Sequence, residues 1–508
     1  MKISIVVCIF TLIAHAAHAQ KHDYIWVAGD NNSLTDTTRG GSVIDFNLFP
    51  AKVYYNYREL NMFVCNSSIC DTAGNLMFYT NGCDIAGTDD VIIENGEGIN
   101  PGQVHQIKCD QENIGYPSGY QSSLALPLPG SDYLYYLFHK RIIYGNNFFT
   151  ARVDKLLYSI VDMAENNGKG KVLAKNMELM SDSLSYGEMA AVKHANGKDW
   201  WLVTPKDASN TFYVFLFTDQ GITDTLIQTI GDQPPAIASG GIQIYFSPDG
   251  NSLFRSVPKG SVLSYQFDRS SGILSDFAPI AVNYGNWLPV TTGGAVSPNG
   301  RFLYLTTELR VYQFDLWSDN ISASQKLVAE WDGFKDPVGT LFGNCQLAPD
   351  CKIYISTIDA KYYHVINNPD EEGVNCDVSQ HSFIFPTPTG ASIPSFPNYR
   401  LGPLDNPGLP CSATVGSQQV AATPEGFLRV YPNPASDHLN IIANHLLPSG
   451  ACWLLSNAQG RVLHTEMLSE HSTCMEIPLP SLPSGVYFWH LQTKEGAVVS
   501  GGKIVVNE

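Results

Sequence analysis

Glu188 and His194 are the most direct candidates for chemistry in this sequence. A carboxylate and an imidazole close together along the chain could act as a general acid and base. The two residues flank a predicted strand, however, and His194 stands before a hairpin turn, so we favour structural roles for both. No nucleophile elbow, phosphate-binding loop or dinucleotide fingerprint occurs in a suitable strand and helix context. The sequence therefore assigns no catalytic residue and indicates no cofactor.

Acidic and amide side chains recur at one kind of turn. Asp249, Asn299 and Asp350 hold equivalent positions and could be interpreted as calcium ligands, because calcium prefers oxygen atoms. Hairpin geometry alone favours such residues at every repeat, and no Asp-x-Asp-x-Asp-Gly loop is present. Residues 247–250 (SPDG) resemble the Asp box of sialidases, but Gly250 directly follows Asp249, and this spacing excludes that motif. We expect no metal site here.

The cysteines favour disulfides. Ten of the eleven cysteines lie beyond residue 19, an even number that suits an exported protein. Zinc is the competing interpretation, but no Cys-x2-Cys knuckle or paired histidine spacing supports it. Closeness in sequence favours five local couples, although sequence alone leaves the connectivity open. The preferred couples are Cys65 with Cys70, Cys83 with Cys109, Cys345 with Cys351, Cys376 with Cys411, and Cys452 with Cys474.

Aromatic residues form a further group of candidates. They could build a platform on which carbohydrate rings stack. In a fold made of small sheets, we expect most of them to pack between the sheets instead. The candidates are Trp26, Tyr54, Tyr55, Tyr57, Trp200, Trp201, Trp287 and Trp317.

The elements that must position these residues are short β-strands arranged in repeats. Residues 245–254 (YFSPDGNSLF), 295–304 (AVSPNGRFLY) and 346–355 (QLAPDCKIYI) share one pattern at a spacing of about 50 residues. Proline presets φ, Asp or Asn with Gly supplies the turn, and alternating apolar residues form the flanking strands. A small sheet cannot bury its face alone, so the copies must stack, and a closed ring leaves only short edges. The pattern predicts a β-propeller.

Weaker turn signals extend the repeat towards the N-terminus. Six blades are marked by Gly74, Gly130, Gly197, Gly250, Gly300 and Cys351. Two more strands, residues 24–28 and 383–385, lie outside these blades, and we expect them to pair and close a seventh. Seven blades are favoured over six.

The C-terminal part of the chain has a different pattern. Residues 402–424 have the composition of a linker. About seven short strand patterns follow, a number that suits a β-sandwich of immunoglobulin-like size. They are residues 428–431, 439–442, 453–456, 461–464, 475–477, 486–492 and 503–506.

The N-terminus predicts export. Lys2 precedes an apolar run over residues 3–13, and residues 17–19 (AHA) fit the small-x-small rule for signal peptidase, with cleavage before Gln20. Cys8 could in principle accept a lipid, but too little apolar sequence precedes it. The net charge of −18, without clustered Lys or Arg, argues against a nucleic-acid partner.

With these motifs in view, the C-terminal segment resembles the type A sorting domain of the type IX secretion system. That domain is a β-sandwich that marks a cargo for export across the outer membrane of a Gram-negative cell. The resemblance rests on residues 430–437 (VYPNPASD), 484–487 (SGVY) and 503–506 (KIVV). An ordinary adhesive sandwich is the alternative. The residues of the sorting motif are Pro432, Asn433, Pro434, Gly485, Tyr487 and Lys503.

The rest of the chain resembles a family of large secreted propeller proteins that often carry gliding-motility or sorting domains. The similar segments are residues 71–82, 120–127, 191–201 and 346–355. The family offers no established catalytic residues to transfer. This chain also departs from the pattern, with a cysteine where the last turn glycine normally stands and with a cysteine-containing insert around residues 84–115.

The predicted organisation is a signal peptide (1–19), a β-propeller (20–401), a linker (402–424) and a sorting domain (425–508) of an all-β protein. We expect it outside the cell or on the outer surface, reached through the periplasm. The propeller is interpreted as a binding or scaffold module for an unknown extracellular glycan or protein. The alternative is a lactonase-like or glycan-cleaving enzyme that works at the central channel.

The lining of that channel discriminates between the two functions. Converging carboxylates, or a histidine with carboxylates, would favour catalysis, whereas an apolar or merely polar plug would favour the binding module. The resemblance further implies partners in the type IX secretion machinery and its sortase. It also implies removal of the sorting domain at the surface and, often, attachment to lipopolysaccharide.

Overall fold

In the computed structural model, the chain forms two compact units, residues 1–413 and 414–508. The predicted signal peptide and the predicted linker beyond residue 411 lie outside the described residues. No helix within the described part has the length and apolar character that a membrane span requires. The structure describes residues 20–30, 40–145, 151–234, 242–286, 288–390, 393–411, 428–432, 434–443, 450–457, 462–468, 474–479, 482–492 and 498–506.

The described part of the first unit contains seven antiparallel sheets, or blades, each built from consecutive strands. Blade 1 has three strands, β1 (Ile25–Asp30), β2 (Gly40–Asp45) and β3 (Lys52–Tyr55). Blade 2 also has three, β4 (Ser67–Cys70), β5 (Leu76–Thr80) and β6 (Ile85–Gly87). Blade 3 has four strands, β7 (Ser123–Pro127), β8 (Leu134–Tyr144), β9 (Ala151–Asp162) and β10 (Lys171–Leu184). Blade 4 also has four, β11 (Ala190–Lys193), β12 (Trp200–Pro205), β13 (Thr211–Thr218) and β14 (Gly221–Thr229).

Blades 5 to 7 also have four strands each. Blade 5 contains β15 (Gln243–Phe246), β16 (Ser252–Ser256), β17 (Val262–Asp268) and β18 (Ile273–Ile280). Blade 6 contains β19 (Gly293–Val296), β20 (Phe302–Thr306), β21 (Arg310–Asp315) and β22 (Lys326–Glu330). Blade 7 contains β23 (Cys345–Leu347), β24 (Ile353–Ile355), β25 (Tyr362–Ile366) and β26 (Val378–Ile384). The fold is the predicted β-propeller, with the favoured number of blades.

The repeated turns form as the sequence pattern predicts. Gly250 adopts a φ of +75°, which glycine reaches without steric cost, and its N–H donates to the carbonyl of Ser247 at 2.8 Å. Cys351 replaces the glycine in blade 7 and still adopts a φ of +64°. The backbone of the turn is therefore kept where the glycine has been lost.

Neighbouring blades pack through aromatic rings. Phe78 of blade 2 meets Tyr135 of blade 3 edge to face, with 5.6 Å between ring centroids. Phe212 of blade 4 meets Tyr265 of blade 5 in the same way at 5.1 Å. Because each blade covers the apolar face of the next, the stack buries surface that no single blade could bury.

The predicted closure of the ring by strand pairing is wrong. β1 pairs with β2, and β26 pairs with β25, so neither terminal blade exchanges a strand with the other. Side chains join blades 1 and 7 instead. The rings of Trp26 and Tyr354 lie 5.6 Å apart, and the hydroxyls of Ser42 and Thr387 are 2.7 Å apart. Strand exchange is not needed, because both terminal strands already have partners within their own blades.

Two disulfides occur among the described cysteines. Cys83–Cys109 is confirmed and ties the insert around residues 84–115 to blade 2. Cys351–Cys411 links the turn of blade 7 to the end of the first unit, across 60 residues. The short helices of this unit are α1 (Gln103–His105), a π-helix (Gln106–Gln111), α2 (Glu165–Gly168) and two 3-10 helices (Ser322–Ser324 and Gly373–Cys376).

The predicted couples Cys345 with Cys351 and Cys376 with Cys411 are wrong, since Cys351 and Cys411 pair with each other. In the register of the β23–β24 hairpin, Cys345 lies opposite Ile355, far from the turn that carries Cys351. Cys345 and Cys376 are buried free thiols. Closeness in sequence misleads here, because the hairpin carries its two cysteines apart.

Three further cysteines of the predicted couples are free thiols. Cys65 lies before β4 and Cys70 is the last residue of that strand. Both are buried, and they do not pair. The Sγ of Cys65 lies 3.2 Å from the hydroxyl of Ser123, whereas Cys70 accepts a hydrogen bond from the N–H of Ile25. Cys452 is also a free thiol, and the side chain of Cys474 lies outside the described residues.

The second unit contains two antiparallel sheets in its described part, with orders β27-β28-β31 and β30-β29-β32-β33. Side chains from both sheets, such as Ile441 and Trp453, are fully buried in one core. The strands match the predicted patterns to within a few residues. They are β27 (Leu428–Tyr431), β28 (His438–Ala443), β29 (Cys452–Ser456), β30 (Val462–Met467), β31 (Cys474–Pro478), β32 (Gly485–Gln492) and β33 (Val498–Val506).

Candidate functional site

The first strands of the blades converge on the propeller axis, where they border a cavity of about 90 Å³. Residues of β11, β15, β19 and β23 line it, together with residues 395–398 and 400–401. Asp23 is the one carboxylate among the described residues of this lining, and no histidine is among them. The remaining polar side chains are mostly amides and hydroxyls.

Two glutamines join first strands that lie in different blades. Gln121 accepts a hydrogen bond from the N–H of Ile244 and donates one to its carbonyl, both at 2.8 Å. Gln243 accepts from the N–H of Cys345 at 3.1 Å and donates to its carbonyl at 2.6 Å. Each side-chain amide therefore pairs with the backbone N–H and C=O of one residue, as a residue of a neighbouring strand would. These residues were missed in the sequence, where the only signal is a glutamine in or just before a first strand.

Residues 393–401 occupy the space that a channel ligand would need. The N–H of Phe396 donates to Oε1 of Gln346 at 3.1 Å. The hydroxyl of Tyr399 donates to the carbonyl of Ala125 at 2.7 Å, and Tyr399 is buried. The chain thus fills the axis with its own segment, held by hydrogen bonds to several blades.

Arg400 anchors this segment through a buried ion pair. Its guanidinium donates two hydrogen bonds to the Asp23 carboxylate, at 2.5 and 2.9 Å, and a third to the carbonyl of Pro410 at 2.9 Å. The two side chains are 8% and 2% exposed. The carboxylate of Asp23 is therefore paired with a cation, and the described lining brings no second carboxylate and no histidine near it.

The structure separates Glu188 from His194. Glu188 is completely buried and receives two hydrogen bonds from the guanidinium of Arg255, at 2.5 and 2.7 Å. Beside it, burial lowers the pKa of Lys140 to about 7, and its ammonium group donates to the carbonyls of Glu188 and Ser185. His194 lies in an exposed turn with Nε2 3.1 Å from the carbonyl of Ser270. The two residues form no acid/base pair.

The repeated turn residues use their oxygens within the turns. Oδ1 of Asp249 accepts from the Ser247 hydroxyl at 2.5 Å and from a backbone N–H. Oδ1 of Asn299 accepts from the Ser297 hydroxyl at 2.8 Å in the same way. In Asp350 the partner hydroxyl comes from Tyr354. Turn geometry accounts for all three positions.

The aromatic candidates do not form one platform. Trp26, Trp200 and Trp201 are buried between blades, and Trp287 lies outside the described residues. Tyr54, Tyr55 and Tyr57 are partly exposed at blade 1. Trp317 stands apart from them in blade 6 with 67% of its surface exposed, more than any other described tryptophan.

His105 lies beside the Cys83–Cys109 disulfide. Its ring nitrogen and the two sulfur atoms lie within 4.8 Å of one another. The sulfurs are joined to each other, so they do not offer the two thiolates that a zinc site would need.

The described residues of the sorting motif meet at one edge of the second unit. Tyr487 and Gly485 lie on β32, opposite Ile504 and Val506 of β33, and Lys503 is opposite Phe488. The segment after Pro432 and Pro434 reaches the same strand, because the N–H of Ala435 donates to the carbonyl of Val505 at 2.7 Å. The motif's separate pieces therefore lie on paired neighbouring strands, with Tyr487 buried in the core and Lys503 exposed. Asn433 lies outside the described residues.

Residues 429–507 match the family described as the secretion system C-terminal sorting domain. This match covers the strands that carry the motif. No curated protein matches the sequence.

Several solved structures are similar at low identity. A functionally unknown protein from Desulfotomaculum acetoxidans has 15% identity and a TM-score of 0.38, and covers 73% of this chain and 98% of its own. PorZ, a surface component of the type IX secretion system of Porphyromonas gingivalis, has 11% identity and a TM-score of 0.30, with coverage of 92% and 73%. The Cps50 (Swd1) β-propeller domain of Myceliophteria thermophila has 10% identity and a TM-score of 0.35, with coverage of 67% and 94%.

The seven-bladed first unit and the sandwich of the second define a β-propeller with a C-terminal sorting domain. The chain is accordingly a secreted β-propeller protein, exported through the type IX secretion system to the cell surface or beyond it.

Proposed function

We propose that the propeller is a binding or scaffold module rather than an enzyme. The occupied axis carries this proposal. Residues 393–401 run through the place where a channel-centred hydrolase would hold its substrate, and the side chains there are bonded to backbone or to each other. Hydrolysis needs convergent acid and base groups with room for a substrate, and Asp23, held by Arg400, is not free for that role.

The full secreted protein tests this proposal. It is incubated with chromogenic glycosides, lactones and esters, and in parallel it is applied to a glycan array and used to capture surface proteins. We expect specific capture of one ligand class and no turnover. Turnover that is lost in Asp23→Asn, with folding verified by circular dichroism, and kept in Asp249→Asn would contradict the module and favour a channel enzyme.

We also propose that the C-terminal domain acts as a sorting signal that is cleaved off at the cell surface. Support comes from the resemblance of its motif and from the match over residues 429–507. Deleting residues 425–508 should leave the propeller in the periplasm, still folded, because the first unit has cores of its own. A truncated protein that reached the medium as efficiently as the full chain would show that export does not need this segment.

The sortase and lipopolysaccharide are proposed as the partners of this step. The mass of the surface protein is the readout. We expect loss of the C-terminal segment and a heterogeneous added mass in a wild-type strain. An intact C-terminus on the surface protein would exclude removal, and a single unmodified mass would exclude the lipopolysaccharide anchor.

A further inference from the structure

We propose that the groove between blades 5 and 6 is a binding site for a neutral saccharide. This inference rests on the proposed function, and it gives that function a site and a class of ligand. The groove encloses about 420 Å³. One wall is the face of β16 and β17 with Ser252, Ser264 and Gln266, and the other is the turn after β21 with Trp317.

Blade 6 shows what covers the equivalent surface elsewhere in the propeller. Gln313 lies opposite Tyr304 in blade 6, as Ser264 lies opposite Phe254 in blade 5. The chain itself covers Gln313: its amide donates to the carbonyl of Glu371 at 2.8 Å and accepts from the N–H of Gly373 at 2.7 Å. A loop of blade 7 thus fills the space beside blade 6.

The corresponding loop of blade 6, residues 316–325, borders the groove with Trp317 but leaves the Ser264 and Gln266 side chains of β17 uncovered. Among the described residues, none forms a hydrogen bond with the hydroxyl of Ser264, and the side-chain amide of Gln266 forms one hydrogen bond, to the hydroxyl of Ser252 at 3.3 Å. Both side chains are accessible from the groove. In blade 6 the chain itself hydrogen-bonds the polar side chain at this position. In blade 5 the corresponding side chains are open to an external molecule.

Trp317 is held in position before any ligand arrives. Arg301 lies against its ring, 5.6 Å from the centroid, and the guanidinium is fixed by Asp315 at 2.7 Å. The same carboxylate accepts a hydrogen bond from the backbone N–H of Trp317 at 3.0 Å. A large flat side chain with 67% exposure is thus pre-organised at the rim, which lowers the entropy lost on binding.

The charges around the groove decide the class of ligand. Asp249 is the one charged side chain among the described lining residues, and its carboxylate accepts hydrogen bonds from Ser247 and Asn251, whereas the nearby Arg301 is paired with Asp315. Serine and glutamine side chains both donate and accept hydrogen bonds. A neutral polyhydroxy ligand with an apolar C–H face satisfies these groups and covers the indole. An anionic ligand meets the Asp249 carboxylate without a counter-charge, a cationic one has only that single, already hydrogen-bonded carboxylate, and an apolar one leaves the polar groups unpaired.

An array of immobilised neutral oligosaccharides probes this site with the full secreted protein. We expect binding by the wild type, a loss of about tenfold or more in Trp317→Ala, and a comparable loss in Ser264→Phe, which fills the groove but keeps the indole. Tyr133→Ala is the matched control, because Tyr133 is 56% exposed in blade 3 and its side chain is remote from the groove. The control should bind as the wild type does.

Other outcomes separate this inference from the proposed function. Saccharide binding that survives in both groove variants overturns the site and leaves the binding module standing. Capture of a protein by the wild type, with no saccharide bound, overturns the ligand class, even if Trp317→Ala abolishes the capture. Enzymatic turnover at the channel contradicts the proposed function, whereas the groove variants still report on the saccharide site. Thermal unfolding of each variant verifies that lost binding is not lost folding.

Discussion

The propeller axis and the groove between blades 5 and 6 both carry amide and hydroxyl side chains, but the chain itself supplies hydrogen-bond partners mainly at the axis. At the axis, amides of residues such as Gln243 are paired with backbone, and residues 393–401 reduce the remaining space to a cavity of about 90 Å³. In the groove, Ser264 and Gln266 stay open beside an exposed indole. Polar side chains of the same kind therefore stabilise the fold where the chain covers them, and in our proposal they bind a ligand where the chain leaves them open. The centre of a propeller need not be its functional site.

Loss of the axial ion pair should have the largest effect on stability. Arg400→Met leaves the Asp23 carboxylate buried without its partner, which typically costs about 3–5 kcal/mol of unfolding free energy. Arg301→Met breaks the partly exposed pair with Asp315 at the groove, where solvent screens the charges, and should cost much less. Urea unfolding of both variants measures the difference. Equal losses would show that the axis is no more cohesive than the groove.

The disulfide that holds the end of the axial segment should have the next largest effect. Cys351–Cys411 closes a loop of about 60 residues, and loop-closure entropy gives it up to about 4 kcal/mol. The double variant Cys351→Ser/Cys411→Ser should unfold at a lower temperature and yet bind at the groove unchanged while folded. Non-reducing peptide mapping of the wild type should recover this pair. Recovery of Cys345 linked to Cys351 would contradict the structure.

Two glutamines of blade 5 allow a matched test. Gln243→Met removes partners from buried backbone groups of blades 6 and 7, and each group left unpaired costs about 1–3 kcal/mol. Gln266→Met changes an exposed side chain, so stability should barely move while saccharide binding weakens. Chemical denaturation and the array give the two readouts. A stability loss in Gln266→Met larger than that in Gln243→Met would reverse the comparison.

The last expected effect is a response to pH. Burial lowers the pKa of Lys140 to about 7, whereas an unfolded chain holds a lysine near about 10.4. Between these values the unfolded chain binds the extra proton, so the free energy of unfolding should rise as pH rises. Among the described residues, the groove is lined by no lysine, histidine, cysteine or tyrosine, so binding should stay flat over this window.

Thermal unfolding between pH 7 and pH 10 measures that response, with Lys140→Met as the variant and the exposed Lys169→Met as the control. We expect a flatter pH profile in the first variant only. An unchanged profile in Lys140→Met would assign the response to another group, such as Lys193, whose pKa burial also lowers to about 7.

The local repeats made the blades predictable. The turns around Gly250 and Gly300 form hairpins because their residues suit the required dihedral angles, whatever surrounds them. The strands of the sandwich were predicted for a similar reason, since short apolar runs such as β32, which buries every second side chain over part of its length, are readable within their own length. The motif of Gly485, Tyr487 and Lys503 was recognisable before its pieces were seen to meet on paired strands.

The contacts between distant segments could not be predicted in this way. Nothing near Cys411 in sequence indicates Cys351 as its partner, because the choice depends on the path of the chain across the propeller. The closure of the ring through Trp26 and Tyr354, rather than by strand pairing, depends on how blade 1 completes its own sheet. The glutamines at the axis carry no local signature beyond their place in or just before a first strand.

The sequence by itself therefore determined the all-β character, the repeats and the exported fate, since these depend on short patterns that act locally or are recognised as linear motifs. Only the tertiary structure decided that residues 393–401 fill the axis, that Arg400 holds Asp23, and that the face of Ser264 is left open. These features depend on which surfaces meet when seven blades close into a ring. Burial and pairing are properties of that arrangement and not of any single segment.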